Sequence, residues 1–265
     1  MDFSGIKNDY RILLLATSDI TTTIVYNALA AATKNITVII EKKESKFKII
    51  KRRIKKVGLT TTIGQLLFRT VVFPLLHFFS RQRILEIMKI YAIDDSEMPK
   101  EAPIKTYSVN DESTHLLLKK INPDIILING TRILSPLTLS KIKCPIINIH
   151  VGITPQYRGV HGGYWALFND DAENFGVTIH FVDTGIDTGT IIKQIRITPE
   201  KKDNFSTYPI LQYAYACKHL IEIVKMAVLS KTQAFTKTDR DNKGRLWYHP
   251  TIAQYLMARL TKKIK

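Results

Sequence analysis

An amide and an imidazole lie two residues apart in one apolar run of this chain. Asn148 and His150 alternate with isoleucines, so an extended backbone projects both side chains from one face of a strand. A carboxylate, Asp187, follows in the glycine-flanked segment 185–189. An amide N–H and a protonated imidazole aimed at one point can hold an oxyanion, and a nearby carboxylate keeps the imidazole charged and oriented. This combination suits acyl transfer without a covalent enzyme intermediate.

Each of these residues also has an ordinary structural interpretation. Buried Asn and His side chains at strand ends are often satisfied by backbone groups alone. Asp187 between two glycines is equally typical of a turn. Taken by themselves, the residues favour structural roles, and the case for chemistry depends on the segments around them.

Several segments between residues 123 and 194 occur together in one order. They are Pro-Asp-Ile-Ile-Leu-Ile-Asn-Gly-Thr-Arg-Ile-Leu-Ser-Pro at 123–136, Asn-Ile-His at 148–150, Thr-Pro-Gln-Tyr-Arg-Gly at 154–159, Gly-Val-Thr-Ile-His-Phe-Val at 176–182 and Gly-Ile-Asp-Thr-Gly at 185–189. This stretch resembles the folate-dependent formyltransferase family, which includes glycinamide ribonucleotide transformylases, methionyl-tRNA formyltransferases and sugar N-formyltransferases. The resemblance implies a catalytic triad of Asn148, His150 and Asp187, with 10-formyltetrahydrofolate as the formyl donor.

The same resemblance implies a folate pocket between a strand end and the loop that carries Asp187. The cofactor-binding positions that it implies are Asn129, Arg132, Ile133, Leu134, Thr178, His180, Asp183 and Ile186. For Ile133 and Leu134 alone, core packing is the default interpretation. For His180, a satisfied buried position is about as well supported as a role near the site.

Residues just downstream of His150 are the candidates for binding the acceptor. The substrate-binding candidates are Gly152, Tyr157, Arg158, His161 and Trp165. Arg158 suits bidentate contact with a phosphate, and an aromatic side chain could stack on a ring. Residues 156–167 look most like the enzymes that formylate amino sugars for surface glycans. A nucleotide-linked amino sugar is therefore the favoured acceptor, with methionyl-tRNA or glycinamide ribonucleotide as the alternative.

The charge of the chain indicates an acidic partner. The net charge is +16, from 39 Lys and Arg against 23 Asp and Glu. Nucleic acid, an anionic membrane, a nucleotide-linked substrate and the polyglutamate tail of folate all fit that charge. A non-catalytic protein that keeps the fold and binds nucleic acid is thus a second class of function, although the three catalytic residue types in register argue against it.

Cysteine content and the N-terminal segment indicate the compartment. Cys144 and Cys217 are too few and too far apart for a disulfide framework or a CxxC metal site, so no metal is expected. Residues 1–10 lack the basic and then apolar pattern of a signal peptide. We therefore expect a reduced, cytoplasmic location.

The order of the apolar runs predicts an α/β fold. A strand at 11–16, a helix through about residue 32 and a strand at 36–40 form a βαβ start, which is typical of an open, mostly parallel twisted sheet with helices on both faces, formyltransferase-like and Rossmann-like. No glycine-rich phosphate loop follows the first strand, so no dinucleotide cofactor is expected. Further strands are predicted at 124–128, 146–150, 177–182 and 190–197. We expect a catalytic domain at 1–205 and a C-terminal helical extension at 206–265 that begins with one long helix at 206–229.

A basic helical insertion is predicted at about 42–100. Its apolar part is interrupted by Arg69, Pro74 and His77, and its uninterrupted runs are shorter than the roughly 20 residues of a spanning helix, so no transmembrane segment is predicted. The default interpretation is that its apolar side packs on the protein and its charges are solvated. The alternative is peripheral attachment to an anionic membrane, at the inner membrane surface. Residues 246–248 are expected to form a packed tail, with a homo-oligomer contact as the alternative.

Overall fold

The computed structural model of the protein describes residues 10–229 and 244–265. Residues 1–9, for which no signal peptide is expected, and residues 230–243 of the C-terminal extension lie outside the described residues.

The nine strands of the described residues form one large sheet and one short ribbon. They are β1 (Ile12–Thr17), β2 (Ile36–Glu41), β3 (Pro103–Thr106), β4 (Ile125–Asn129), β5 (Ile146–His150), β6 (Tyr157–Gly159), β7 (Gly176–Phe181), β8 (Ile191–Arg196) and β9 (Arg245–Trp247). The large sheet has the order β3-β2-β1-β4-β5-β7-β8. Strands β1 to β5 are parallel, whereas β7 is antiparallel to β5 and β8 is antiparallel to β7. The predicted open, mostly parallel sheet is confirmed.

Helices cover both faces of this sheet. They are α1 (Ile20–Ala30), α2 (Lys46–Val57), α3 (Leu59–Leu67), α4 (Phe73–Phe79), α5 (Arg81–Ile90), α6 (Glu112–Ile121), α7 (Pro136–Lys141), α8 (Gly162–Phe168), α9 (Tyr208–Cys217), α10 (Leu220–Leu229) and α11 (Ile252–Thr261). On β1, Ile12 and Leu14 contribute to one apolar cluster while Leu13 and Leu15 contribute to another. Because both faces of the strand are buried, its sequence is a continuous apolar run.

The C-terminal extension differs in detail from the prediction. The single helix expected at 206–229 is two helices, α9 and α10, separated at Lys218 and His219. Helix α9 packs against α1 and β7, and α10 packs against β4 and β8. Strand β9 pairs in parallel with β6 and forms the short ribbon. Helices α9 and α10 of the extension therefore pack on the large sheet of the predicted catalytic domain. Leu246 and Trp247 of the expected packed tail lie in β9, one of the two strands of the ribbon.

The insertion forms helices α2 to α5, and its middle part differs from the prediction. Residues Leu59–Phe79 form one continuous helical stretch of 21 residues, long and apolar enough to cross a membrane by length and composition. Pro74 does not end it, because a π-helical turn at Phe68–Val72 precedes the proline and Phe73 N–H bonds to the carbonyl of Phe68. Such a wider turn accommodates the missing proline donor.

Candidate active site

The predicted polar pair lies where the parallel strands of the sheet end. Asn148 and His150 lie in the last half of β5, beside the end of β4. The antiparallel pairing with β7 places Asn148 opposite His180 and His150 opposite Thr178. Ligands of open α/β sheets gather beyond the carboxyl ends of parallel strands. The topology therefore puts these side chains where a ligand would bind.

Asp187 reaches the same point from the loop between β7 and β8. Its backbone has a φ of +51°, a left-handed conformation that Asp tolerates better than most residues. Its Oδ2 accepts a hydrogen bond from the Gly159 N–H at 2.8 Å and lies 3.4 Å from Nδ1 of His150. Its Oδ1 accepts from Nδ2 of Asn148 at 3.2 Å. The carboxylate of the expected triad thus contacts both the amide and the imidazole.

Burial and hydrogen bonding act against each other in this group. Burial raises the pKa of the Asp187 carboxyl, but the neighbouring imidazoles and the Gly159 N–H lower it more strongly, so this pKa lies well below its ordinary value. The N–H groups of Gly159 and Asn148 favour the carboxylate whatever the protonation state of His150. Asp187 is therefore ionised at neutral pH.

Burial lowers the pKa of His150, and the attraction of Asp187 and of the Tyr157 carbonyl only partly offsets that effect. The His150 imidazole is 4% exposed, so little water remains to stabilise its charge. In the free protein at neutral pH the imidazole is therefore mainly neutral, whereas the sequence suggests a protonated imidazole.

The donors expected to hold an oxyanion already have protein partners. Nε2 of His150 lies 2.6 Å from the Tyr157 carbonyl oxygen and donates to it. Nδ1 of His180 donates to the Phe181 carbonyl at 2.8 Å, and Nε2 of His180 lies 3.3 Å from Nδ2 of Asn148 and 3.5 Å from Oδ1 of Asp187. The two contacts of Asn148 are at the long end of hydrogen-bond distances. A substrate oxygen can therefore replace one of them at small cost.

A cavity of about 440 Å³ adjoins these three residues. Its volume lies in the range of small-molecule and cofactor sites. Six of the eight predicted cofactor-binding positions line it: Arg132, Ile133, Leu134, His180, Asp183 and Ile186. A larger cavity of about 970 Å³ is lined by residues at the opposite ends of the strands, including Asp124 and Pro145, and contains none of the triad.

The other two predicted cofactor positions lie behind the cavity wall. Asn129 is 2% exposed, and its Nδ2 donates to Thr22 Oγ1 at 2.9 Å. Thr178 is fully buried and donates to the Gly152 carbonyl at 2.8 Å. The guanidinium of Arg132, although its residue lines the cavity, donates to the carbonyls of Lys42 at 2.7 Å and Tyr107 at 3.0 Å. These polar groups hold the wall in place rather than facing a ligand.

Of the five positions predicted to bind the acceptor, one lines the cavity and the other four do not. His161 lines the cavity. Arg158 donates to the Ile186 carbonyl at 3.3 Å, while its Nε is buried without a hydrogen-bond partner. Tyr157 donates through its hydroxyl to Asp171 at 2.8 Å, and Trp165 donates to the Tyr248 carbonyl at 2.8 Å; both side chains are buried in the core.

Gly152 has a packing role at the same site. A Cβ atom on Gly152 would lie 2.7 Å from Nε2 of His150 and 2.5 Å from the Tyr157 carbonyl oxygen. Any side chain there would therefore displace the imidazole or the backbone that it bonds to.

Some cavity residues were not predicted from the sequence. Pro209 and Tyr213 of helix α9 line the cavity, and the Tyr213 hydroxyl donates to Asn129. Their positions follow from the packing of α9 on the sheet, for which no local motif exists. His249 is a further case: its Nδ1 lies 3.0 Å from Nε2 of His161, a contact across 88 residues. Among the described residues, no group of three or more His, Cys, Asp or Glu side chains could hold a metal ion.

Comparison with known proteins identifies the segment that carries the site. Residues 85–209 match the family model described as Formyl transferase. Over 113 residues the chain is 35% identical to a methionyl-tRNA formyltransferase from Pelotomaculum thermopropionicum, covering 42% of this chain and 34% of that protein. Over 161 residues it is 31% identical to a methionyl-tRNA formyltransferase from Azobacteroides pseudotrichonymphae, covering 56% of this chain and 49% of that protein. The chain matches less than half the length of these curated relatives.

Solved structures of low sequence identity share the fold. A phosphoribosylglycinamide formyltransferase from Streptococcus pneumoniae has a TM-score of 0.52 at 20% identity, over 82% of this chain and 97% of that chain. A sugar N-formyltransferase from Shewanella sp FDAARGOS_354 has a TM-score of 0.53 at 13% identity, over 89% and 75%. An N-formyltransferase from Helicobacter canadensis, solved with folinic acid and dTDP-3-aminofucose, has a TM-score of 0.50 at 18% identity, over 90% and 70%.

Proposed function

We propose that this chain, whose residues 85–209 match the Formyl transferase family model, moves a formyl group from 10-formyltetrahydrofolate to the amine of a nucleotide-linked amino sugar. The observation that carries the proposal is the contact of Asn148, His150 and Asp187 at the wall of the cavity. Folate-dependent formyl transfer is the reaction of the family.

The proposed reaction forms a bond between the acceptor nitrogen and the formyl carbon and breaks the bond between that carbon and the folate nitrogen. Asn148 Nδ2 and the His150 imidazole donate to the formyl oxygen as it becomes an oxyanion. The His150 imidazole takes up the proton that the attacking amine releases, and the ionised Asp187 carboxylate stabilises the imidazolium that forms. His150 then passes this proton to the departing folate nitrogen. Approach of a charged or polar substrate requires Asn148 to exchange its present acceptors.

Two observations support an amino-sugar acceptor. The sugar N-formyltransferase from Shewanella and the dTDP-3-aminofucose complex from Helicobacter canadensis each share the fold over about nine tenths of this chain. His161 also lines the cavity, and Arg158 of β6 donates to the carbonyl of Ile186, which lines it too. A basic chain would attract the phosphates of such a substrate.

Methionyl-tRNA is the second candidate acceptor. The observation that favours it is the identity of 35% and 31% to two methionyl-tRNA formyltransferases, over 113 and 161 residues. A tRNA acceptor would also fit the net charge of +16.

The test is to mix the protein with 10-formyltetrahydrofolate and a panel of nucleotide-linked amino sugars, methionyl-tRNA and glycinamide ribonucleotide, while measuring release of tetrahydrofolate. We expect turnover with an amino sugar. Turnover with methionyl-tRNA alone would replace the acceptor, and salt-dependent RNA binding without folate turnover would overturn the enzymatic proposal.

The Asn148→Ala variant tests the role of the site. Removing one oxyanion donor should lower kcat by about a hundred- to a thousand-fold with the fold retained. The matched control is Asn169→Ala, since Asn169 is exposed at the end of α8 and does not line the cavity. Normal turnover by Asn148→Ala would contradict the assignment.

A further inference from the structure

Exposed apolar side chains are concentrated on helices α2 to α5. We call residues 46–90 the amphipathic surface. Twelve of the 22 exposed large hydrophobic residues in the described part of the chain belong to it. They are Phe47, Ile54, Leu59, Ile63, Leu66, Leu67, Val71, Leu75, Phe78, Phe79, Leu85 and Ile90. Exposed apolar patches of this kind mark contact sites for a protein or a membrane.

The opposite side of the same helices is fixed to the protein. Phe68 is fully buried and makes ring contacts with Phe205 at 4.8 Å and with Tyr255 at 5.2 Å. Gln65, which is 3% exposed, donates through Nε2 to the His249 carbonyl at 2.7 Å. These contacts fix the rotation of helix α3, so Leu66 and Leu67 stay on its outer side.

The charge of this surface is mainly positive, with Glu86 as its one acidic residue. From residue 45 to residue 85 the sequence has ten Lys and Arg residues and no Asp or Glu. Seven of the twelve residues of α2 are basic, and none of its side chains is buried. Within α2, Phe47, Ile50 and Ile54 recur at helical spacing, so apolar residues share one side of a strongly basic helix.

The chemistry of the surface disfavours a second copy of this chain as its natural occupant. Two such surfaces in contact would bring the seven basic side chains of α2 in one copy close to those of the other, which opposes association. A bilayer with anionic lipid supplies both an apolar phase and negative charge, and each juxtamembrane Lys or Arg adds about 1 kcal/mol of attraction.

We propose that the amphipathic surface docks this protein onto the surface of a membrane that contains anionic lipid. Helices α2 to α4 lie parallel to the membrane, with their apolar side chains at the level of the lipid headgroups and acyl chains. The side chains of Phe78 and Phe79, 61% and 79% exposed, are the most prominent of those on α4.

The helical stretch Leu59–Phe79 attaches to the membrane surface rather than spanning it. Crossing would carry Arg69 into the lipid and would separate Phe68 from its partners in the core. A charge at the bilayer centre costs at least about 2.5 kcal/mol, and exposure of a buried Phe costs about 1.5–3 kcal/mol more. When the stretch lies flat on the membrane, Arg69 stays out of the bilayer centre and Phe68 stays in contact with its core partners.

Docking would also bring the cavity close to the membrane. Gln65 of α3 bonds to His249, and His249 contacts His161, which lines the cavity. The backbone carbonyl and the imidazole of His249 therefore connect α3 with the candidate active site.

The test is flotation of the full chain with vesicles of phosphatidylcholine, with and without phosphatidylglycerol. We expect flotation only with the anionic vesicles and its loss in high salt. The double variant Leu75→Asp with Phe78→Asp should reduce the floated fraction about tenfold or more, because two apolar side chains leave the lipid. The matched control is Leu116→Asp, an exposed leucine on α6 outside this surface.

Three results would overturn the proposal. They are absence of flotation with anionic vesicles, equal flotation of the double variant and the wild type, and binding that resists carbonate extraction as a spanning helix does. A dimer in sedimentation without vesicle binding would assign the surface to a second copy. The double variant should keep its turnover of a water-dissolved acceptor, so membrane docking and the proposed enzymatic function can fail separately.

Discussion

At the cavity polar side chains lie inside the protein, whereas along the amphipathic surface apolar side chains lie outside it. His150 is buried, Asn148 and Asp187 are partly buried, and each of the three has a hydrogen-bond partner within the protein. Helix α2, in contrast, has no buried side chain. Burial without partners is costly for a polar group, and exposure without partners is costly for an apolar one. The polar side chains at the cavity therefore have partners within the protein, whereas the apolar side chains of the amphipathic surface need a partner outside it.

The two regions meet at a buried arginine. Arg83 of α5 donates to Asp203 at 2.7 Å and to Glu200 at 3.0 Å, and these carboxylates precede helix α9, which lines the cavity. Hydrogen bonds to Asp203 raise the pKa of Arg83 further above its ordinary value, so its charge is permanent. The connection is rigid, whereas the outer surface of α2 to α4 has no such constraint.

The largest effect on the first region is expected from Asp187→Asn. The amide cannot carry the negative charge that the carboxylate provides, and its NH₂ group would compete with the donors of Asn148 and His150. We expect kcat to fall by about a hundred- to ten-thousand-fold, measured as tetrahydrofolate release. The matched control is Asp170→Asn, since Asp170 also has a left-handed φ, of +58°, but is exposed. Equal losses in both variants would attribute the effect to the backbone rather than to the charge.

The next effect concerns the connection between the regions. Arg83→Met keeps the length of the side chain but leaves Asp203, whose side chain is fully buried, without its cation. The free energy of unfolding should fall by about 3–5 kcal/mol, measured by urea denaturation. Arg81→Met on the same helix is the control, because Arg81 is exposed and should change stability by no more than about 0.5 kcal/mol. A loss as small as in the control would mean that the two regions are held together by apolar contacts alone.

The smallest effect is a change in the pH dependence of stability. Burial, reinforced by Arg69, lowers the pKa of His161 to about 3, so between that pH and the ordinary value of 6.5 the unfolded chain binds a proton that the folded chain does not. Stability is therefore lost as pH falls below 6.5, by up to about 1.4 kcal/mol per pH unit from this residue. His161→Asn, which suits the local φ of +58°, should make the loss less steep. Unfolding free energies at pH 7 and pH 5 measure it, and equal slopes in both proteins would refute this origin.

Local patterns in the sequence were sufficient for the strands, whereas the triad also required the resemblance of segments 123–194 to one family. Strands β4 and β5 are buried on both faces, as is usual for central strands of an α/β sheet. Their continuous apolar runs therefore predicted them without knowledge of the rest of the fold. Asn148 and His150 share a face because their spacing of two is set by the strand itself. Asp187 was found through its glycine-flanked loop and the resemblance of the surrounding segments to one family.

Other features depended on contacts between segments far apart in the sequence. Tyr213 reaches the cavity only through the packing of α9 on the sheet, and Trp165 was assigned to the acceptor although its indole is buried against Trp247, with ring centroids 4.6 Å apart. The continuous helix through Pro74 depended on a π turn that no propensity indicates.

Strand periodicity and charge are local properties, so the α/β fold and the basic insertion follow from the amino-acid order, and the family resemblance adds the three residues at the cavity. The donors that are already engaged, the aromatic side chains that are buried and the side of the insertion that is exposed depend on packing between segments. Burial and hydrogen-bond partners depend on distant segments such as Gln65 and His249, and their separation of 184 residues has no signature in the sequence.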